Sequence, residues 1–113
     1  MSQNRQNLYE GMYILNATLS DDARQKALEK IKDGIVERGG EIHIVHEQGR
    51  RKLSYEINGR REGYYYLLYF TIKPHAINEL WQEYHIHEDL IRFITLRASQ
   101  VKEKLEYKAL AEG

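Results

Sequence analysis

Two spacings of apolar residues alternate along this chain. In Leu8–Asn16, LYEGMYILN, the period is two: Tyr9, Gly11, Tyr13 and Leu15 fall on one face, and Glu10, Met12 and Ile14 on the other. A strand with apolar groups on both faces belongs near the centre of a sheet. The period then lengthens. Ala27, Leu28, Ile31 and Ile35 recur at three- and four-residue intervals, which predicts an amphipathic helix. Ser20 starts it as an N-cap whose hydroxyl accepts a free backbone N–H, and Asp21 and Asp22 match the positive end of the helix dipole. Gly39-Gly40 supplies a left-handed stop. Gly34 weakens the helix by roughly 1 kcal/mol against Ala.

Period two returns in Glu41–Gln48, EIHIVHEQ, with Ile42 and Ile44 at even positions. Leu53, Tyr55 and Ile57 then alternate at odd positions. Such a parity switch within one long strand requires a bulge, and Gly49 is the place for it. Asn58-Gly59 reads as a hairpin turn, because both residues tolerate positive φ. The return strand, Gly63–Lys73 (GYYYLLYFTIK), is the most sheet-prone stretch, with seven of eleven residues aromatic or β-branched. Tyr64, Tyr66, Leu68, Phe70 and Ile72 share one face; Tyr65, Leu67, Tyr69 and Thr71 share the other. Pro74 suits the first turn of a second helix, with Ile77, Leu80, Trp81 and Tyr84 as its apolar face. Leu90–Ala98 is a last strand.

The order β-α-β-β-α-β is the ferredoxin-like α+β arrangement: a four-stranded antiparallel sheet with two helices on one face. The opposite face is then expected to expose Met12, Ile14, Tyr65, Leu67 and Tyr69. The last strand adds either Arg92, Ile94 and Leu96 or Ile91, Phe93 and Thr95. Such a strip is too apolar for plain solvent and implies a protein partner. On this reading a charge at Tyr65 or Leu67 leaves the fold intact, whereas one at Leu68 unfolds it. The domain is expected to span 8–98, between a frayed polar start (1–7) and a charged tail (99–113). In that tail Val101, Leu105 and Ala109 stripe one side, too weakly for an isolated helix.

Composition narrows the function. At 113 residues the chain is one domain, and its 17 basic and 17 acidic residues cancel. Net charge therefore does not point to nucleic acid; local charge does. Five basic residues and one acid lie between Arg50 and Arg61, on a projecting hairpin beside tyrosines able to stack on bases. Arg50, Arg51, Lys52, Arg60 and Arg61, with Arg92 and Arg97 of the last strand, are the candidate RNA contacts. The plain alternative is a solvated hairpin kept charged against stray strand pairing. No cysteine is present, which fits a reducing compartment, and no signal peptide or apolar run of membrane-spanning length is visible. His43, His46, His85 and His87 lack the carboxylate or thiol partners of a metal site. No Ser-His-Asp set, phosphate loop or carboxylate dyad appears, so no enzyme, cofactor or small-molecule substrate is expected.

The run Gly49–Asn58, GRRKLSYEIN, resembles the signature of the bacterial small-subunit ribosomal protein six family. Gly49, Arg51, Leu53, Ser54, Tyr55, Ile57 and Asn58 fit that pattern. LYEGMYIL, GYYYLLYF and DLIRFITLR extend the resemblance over roughly Leu8 to Ala98. The family commonly has Pro where Glu56 stands. The resemblance implies a ferredoxin-like, non-catalytic protein of the cytoplasmic ribosome. It also implies binding to small-subunit ribosomal RNA together with ribosomal protein eighteen. EGYYYLLY echoes, less fully, the central strand of RNA recognition domains. That motif would turn Tyr64 and Tyr66 toward RNA. A small dimeric enzyme on the same fold, with a pocket between sheet and helices, is the remaining alternative.

Overall fold

The computed structural model describes residues 5–57 and 59–103. Its elements are β1 (Asn7–Asn16), α1 (Asp21–Glu37), β2 (Glu41–Ile57), β3 (Arg60–Ile72), α2 (Ala76–His85) and β4 (Leu90–Arg97). The strands pair antiparallel in the order β2-β3-β1-β4, the ferredoxin-like arrangement. The two most apolar strands, β1 and β3, lie in the centre, where both faces leave water.

One core lies between sheet and helices. Tyr9, Tyr13 and Leu15 of β1 join Tyr66, Leu68, Phe70 and Ile72 of β3 against Leu28, Ile31 and Ile35 of α1 and Leu80 and Tyr84 of α2. The Tyr13 ring lies back over Gly11, where a Cβ would stand 2.8 Å from the ring carbon Cε2. Its hydroxyl meets that of Tyr84 at 2.9 Å, deep in the core. Burial pushes both phenols up, Tyr84 to about 12. Ser20 Oγ accepts from the Ala23 N–H at 3.2 Å, and Gly39 takes the left-handed stop at φ 82°.

Strand β2 carries more irregularity than its parity predicts. The register shifts between Glu47 and Gly49, with Gly49 at φ 83°, but also between Ile42 and Ile44 and between Lys52 and Ile57. The first shift sends Ile42, opposite Phe70, toward the helices and Ile44, opposite Tyr69, to the other face. Beyond Gly49 the apolar residues Leu53, Tyr55 and Ile57 lie on that other face with Met12 and Tyr65. In β4, Phe93 packs edge-on to Tyr84, so Arg92, Ile94 and Leu96 point away from the helices, level with Ile14, Met12 and Glu10.

Two expectations need correction. Trp81 sits at the α2–β4 margin, 37% exposed, its Nε1 donating to Thr95 Oγ1. The strip opposite the helices is not open: Ile14, Tyr65, Leu67 and Tyr69 are all below 5% exposed, and Met12 is half-buried. No helix lies there among the described residues; the chain's own β2–β3 arm and the segment after β4 reach across it.

Candidate nucleic-acid interface

The β2–β3 hairpin outruns the sheet. β1 accompanies β3 only as far as Asn16, opposite Gly63, so from Arg51–Gly63 outward the two strands pair with each other alone among the described residues. This two-stranded arm carries Arg51, Lys52, Arg60 and Arg61, with Arg50 at its root. Asn58, half of the predicted turn, lies outside the described residues; Gly59 has φ 81°.

Two of the arginines are paired with carboxylates at the surface. Arg50 Nε donates to Glu62 Oε1 at 2.9 Å, and Arg61 Nε to Glu56 Oε2 at 3.4 Å. Arg51 Nε donates to the Gln48 carbonyl, and Lys52 is exposed. The Glu62 carboxylate holds the Arg50 guanidinium above its ordinary value, so it stays a cation. Exposed ion pairs of this kind contribute little to stability. A phosphate oxygen can replace the carboxylate at small cost, which is what a backbone-reading surface needs.

Arg92 joins this group through Tyr55. Its guanidinium carbon lies 5.6 Å from the Tyr55 ring centroid, and its Nη1 donates to the phenolic oxygen. Arg97 does not join it. Arg92 stands opposite Ile14 and Arg97 opposite Tyr9; five residues of strand separate them by about 17 Å. Six of the seven candidate RNA contacts thus gather at one end of the sheet and the seventh lies at the other. A further cation there escaped the sequence reading: Arg24 of α1 lies 4.2 Å above the Tyr64 ring. Only the crossing of α1 over β3 brings the two together.

The arm also bends onto the sheet. Leu53, Tyr55 and Ile57 face Met12, Ile14, Tyr65 and Ile94 across a crevice of about 190 Å³. Burial raises the Tyr65 phenol, with the Arg51 and Arg92 charges pulling the other way. At the far end of this face, Tyr69 donates to Glu10 Oε2 at 2.8 Å; burial and this carboxylate push its phenol up to about 12. His46 stands edge-on to Tyr69, and its Nε2 donates to the Lys102 carbonyl at 2.7 Å, tying residues beyond β4 back across the face. The rest of the tail stripe, Leu105 and Ala109, lies outside the described residues.

Tyr64 and Tyr66 do not serve as a stacking platform. Both look toward the helices; Tyr66 is buried, and Tyr64 is half-buried beneath Arg24. Among the described residues no group of three or more His, Asp or Glu side chains is placed to hold a metal ion. Nor is any helix among them long and apolar enough to cross a membrane.

Comparison with known proteins places this architecture. The family model described as Ribosomal protein S6 matches residues 8–97. The small ribosomal subunit protein bS6 of Protochlamydia amoebophila is 67% identical over 112 residues, covering 99% of this chain and 98% of the relative. That of Chlamydia pneumoniae is 57% identical over 112 residues, covering 99% and 100%. A crystal structure of 30S ribosomal protein S6 from Thermotoga maritima superposes with a TM-score of 0.79 at 33% identity, covering 83% of this chain and 89% of that one.

Proposed function

The chain belongs to the ribosomal protein S6 family, structural proteins of the small ribosomal subunit, and from that premise we propose that it binds small-subunit ribosomal RNA together with ribosomal protein eighteen. The observation that carries the RNA half is the clustering of Arg50, Arg51, Lys52, Arg60, Arg61 and Arg92 at one end of the sheet. Arg50 and Arg61, each held by one exposed carboxylate, are suited to phosphate oxygens. Tyr55, 57% exposed within the cluster, offers a ring to an unpaired base. Arg97 stands outside this footprint, at the other end of β4.

The partner half rests on the face opposite the helices. Met12, Ile14, Tyr65, Leu67 and Tyr69 form an apolar strip beyond the helix-side core. Aromatic and aliphatic groups of this kind anchor protein–protein contacts. The strip is closed in the free chain, so docking involves displacement of the arm or of the segment after β4. A domain of zero formal net charge attracts RNA only through local patches, so the complex should bind more tightly than the chain alone. The setting is the cytoplasmic ribosome, and the role is structural.

The test is RNA binding at several salt concentrations, with and without protein eighteen. Tight, steeply salt-dependent binding that needs both proteins supports the reading. Unchanged affinity after Arg50, Arg51 and Lys52 are together replaced by Ala removes the hairpin from the RNA interface. Turnover of a small molecule would favour the enzyme alternative.

A further inference from the structure

We propose that the β2–β3 arm is an intramolecular cover over the partner-docking face, latched by Tyr55 on Arg92, and that the partner docks by lifting it. The inference rests on the docking reading above. Its starting point is a mismatch: Ile14 is 3% exposed and Tyr65 4% exposed on a face that no helix packs against among the described residues. Neither belongs to the helix-side core. What stands over them is the arm, through Leu53, Tyr55 and Ile57.

Three features make this cover separable from the fold. Among the described residues the arm has no third strand: beyond Gly63, β3 has lost β1, and the β2–β3 ladder itself slips between Lys52 and Ile57. Its seat is incomplete, since the 190 Å³ crevice between arm and sheet exceeds the cavity of about 150 Å³ that admits a benzene ring in an otherwise close-packed protein. The latch lies at the surface: Tyr55 is 57% exposed, and its contact with Arg92 is a single donated hydrogen bond with the guanidinium beside the ring. Contacts of that kind at exposed sites are worth a factor of about two to five in a local equilibrium. An apolar floor under a loosely held lid suits an occupant that itself brings apolar groups, such as an aliphatic or aromatic side chain of the partner protein. Lifting the arm also frees Arg92 from Tyr55, so docking on the face presents one more cation at the RNA end.

The test uses the full chain and Tyr55→Ser, with Tyr55→Phe as the variant that keeps the ring and loses the hydroxyl. Amide hydrogen exchange is read without any partner; titration with protein eighteen is read without RNA. In Tyr55→Ser, exchange over residues 50–57 and 60–63 should rise about two- to five-fold while α1 and the centre of β1 stay unchanged. The same variant should bind the partner about two- to five-fold more tightly, because the cost of opening has been removed. Tyr55→Phe should fall between it and the parent. Exchange at the parental rate overturns the cover. So does faster exchange with weaker partner binding, since the arm is then part of the interface. If neither parent nor variant binds protein eighteen although the arm loosens as expected, the docking reading falls, and the partner-lifted cover with it.

Discussion

The two faces of one sheet are almost equally buried here, and they are buried by different means. On the helix side, Tyr13, Leu68, Phe70 and Ile72 show no exposure and pack against two helices in one continuous cluster. On the other side, Ile14, Tyr65, Leu67 and Tyr69 are nearly as dry, yet among the described residues above them lie a two-stranded arm with a crevice beneath it and a short stretch of chain tied down by His46. Burial measures how much water is excluded. It does not measure how much structure must come apart to let water back. The first face opens only when the helices leave; the Tyr65 end of the second opens when a hairpin lifts.

The sharpest way to break this comparison is one substitution on each side. Leu68→Ala should cost about 2–5 kcal/mol, the range for a fully buried leucine, and Leu68→Glu should leave no folded population, because the carboxylate would be buried without a partner. Tyr65→Glu should keep the chain folded. The arm can rise to admit water, and the Arg51 and Arg92 charges already favour an anion at this position. It should nonetheless lose more stability than an open surface site would, because Tyr65 is buried and not exposed as its alternation with Tyr64 suggests. Urea denaturation of the three variants decides it: equal losses at Leu68 and Tyr65 would show the two faces to be one kind of core.

The buried hydroxyl pair tests the helix side alone. Tyr13→Phe or Tyr84→Phe strands one hydroxyl in the core and should cost about 1–3 kcal/mol, while the double variant should recover much of that loss. The Tyr84 phenol also dictates a pH dependence. Its folded value is about 12, against about 10 in the unfolded chain. Below pH 10 both states hold the proton and the contribution is complete. Between pH 10 and 12 the unfolded chain releases it and the folded chain does not, so the contribution of this one phenol is lost as pH rises, by about 3 kcal/mol at most, beside the losses at Tyr13 and Tyr69, whose phenols are also raised. Tyr84→Phe should flatten that part of an alkaline denaturation curve.

At the two ends of the sheet the contrast concerns RNA. Replacing Arg50, Arg51 and Lys52 by Ala should lower the slope of log affinity against log salt by about one unit or less per side chain. Arg97→Ala, a strand's length away, should leave the slope nearly unchanged. Equal losses would mean an RNA surface running the length of β4.

How far the sequence reached follows the same division. The helix-side core was legible because periods of two and of three-to-four identify residues whose partners are regular elements: Leu68 and Ile31 could be paired by pattern alone. The Gly49 bulge was legible as a parity switch. The slip at His43 left no such mark, since Ile42 and Ile44 keep the same parity while facing opposite sides. The cover over Tyr65 was illegible for a related reason: alternation says which face a residue points to, not whether a distant arm folds back onto it. Arg92 and Tyr55, 37 residues apart, are joined by the bend of that arm, which no local pattern encodes.

The smallest effect is expected at Glu56, where the resemblance of the GRRKLSYEIN run implies Pro. A proline inside a regular ladder removes a hydrogen bond and is excluded from central strands. Glu56 does not sit in such a ladder: the β2–β3 register slips between Lys52 and Ile57, and the residues between them have no assigned partner. Its side chain makes one exposed pair with Arg61, worth roughly 0–1 kcal/mol. Against that small loss, proline restricts the unfolded chain and can return about 0.4–1 kcal/mol where the backbone already suits it. Glu56→Pro should therefore shift overall stability by less than about 1 kcal/mol in either direction, which thermal unfolding can bound. Its visible consequence should be local: slower amide exchange in the arm, with α1 and β1 unaffected. A loss of several kcal/mol would mean that the Glu56 N–H holds the arm together, and that the arm belongs with the rigid face of the molecule and not with the one that opens.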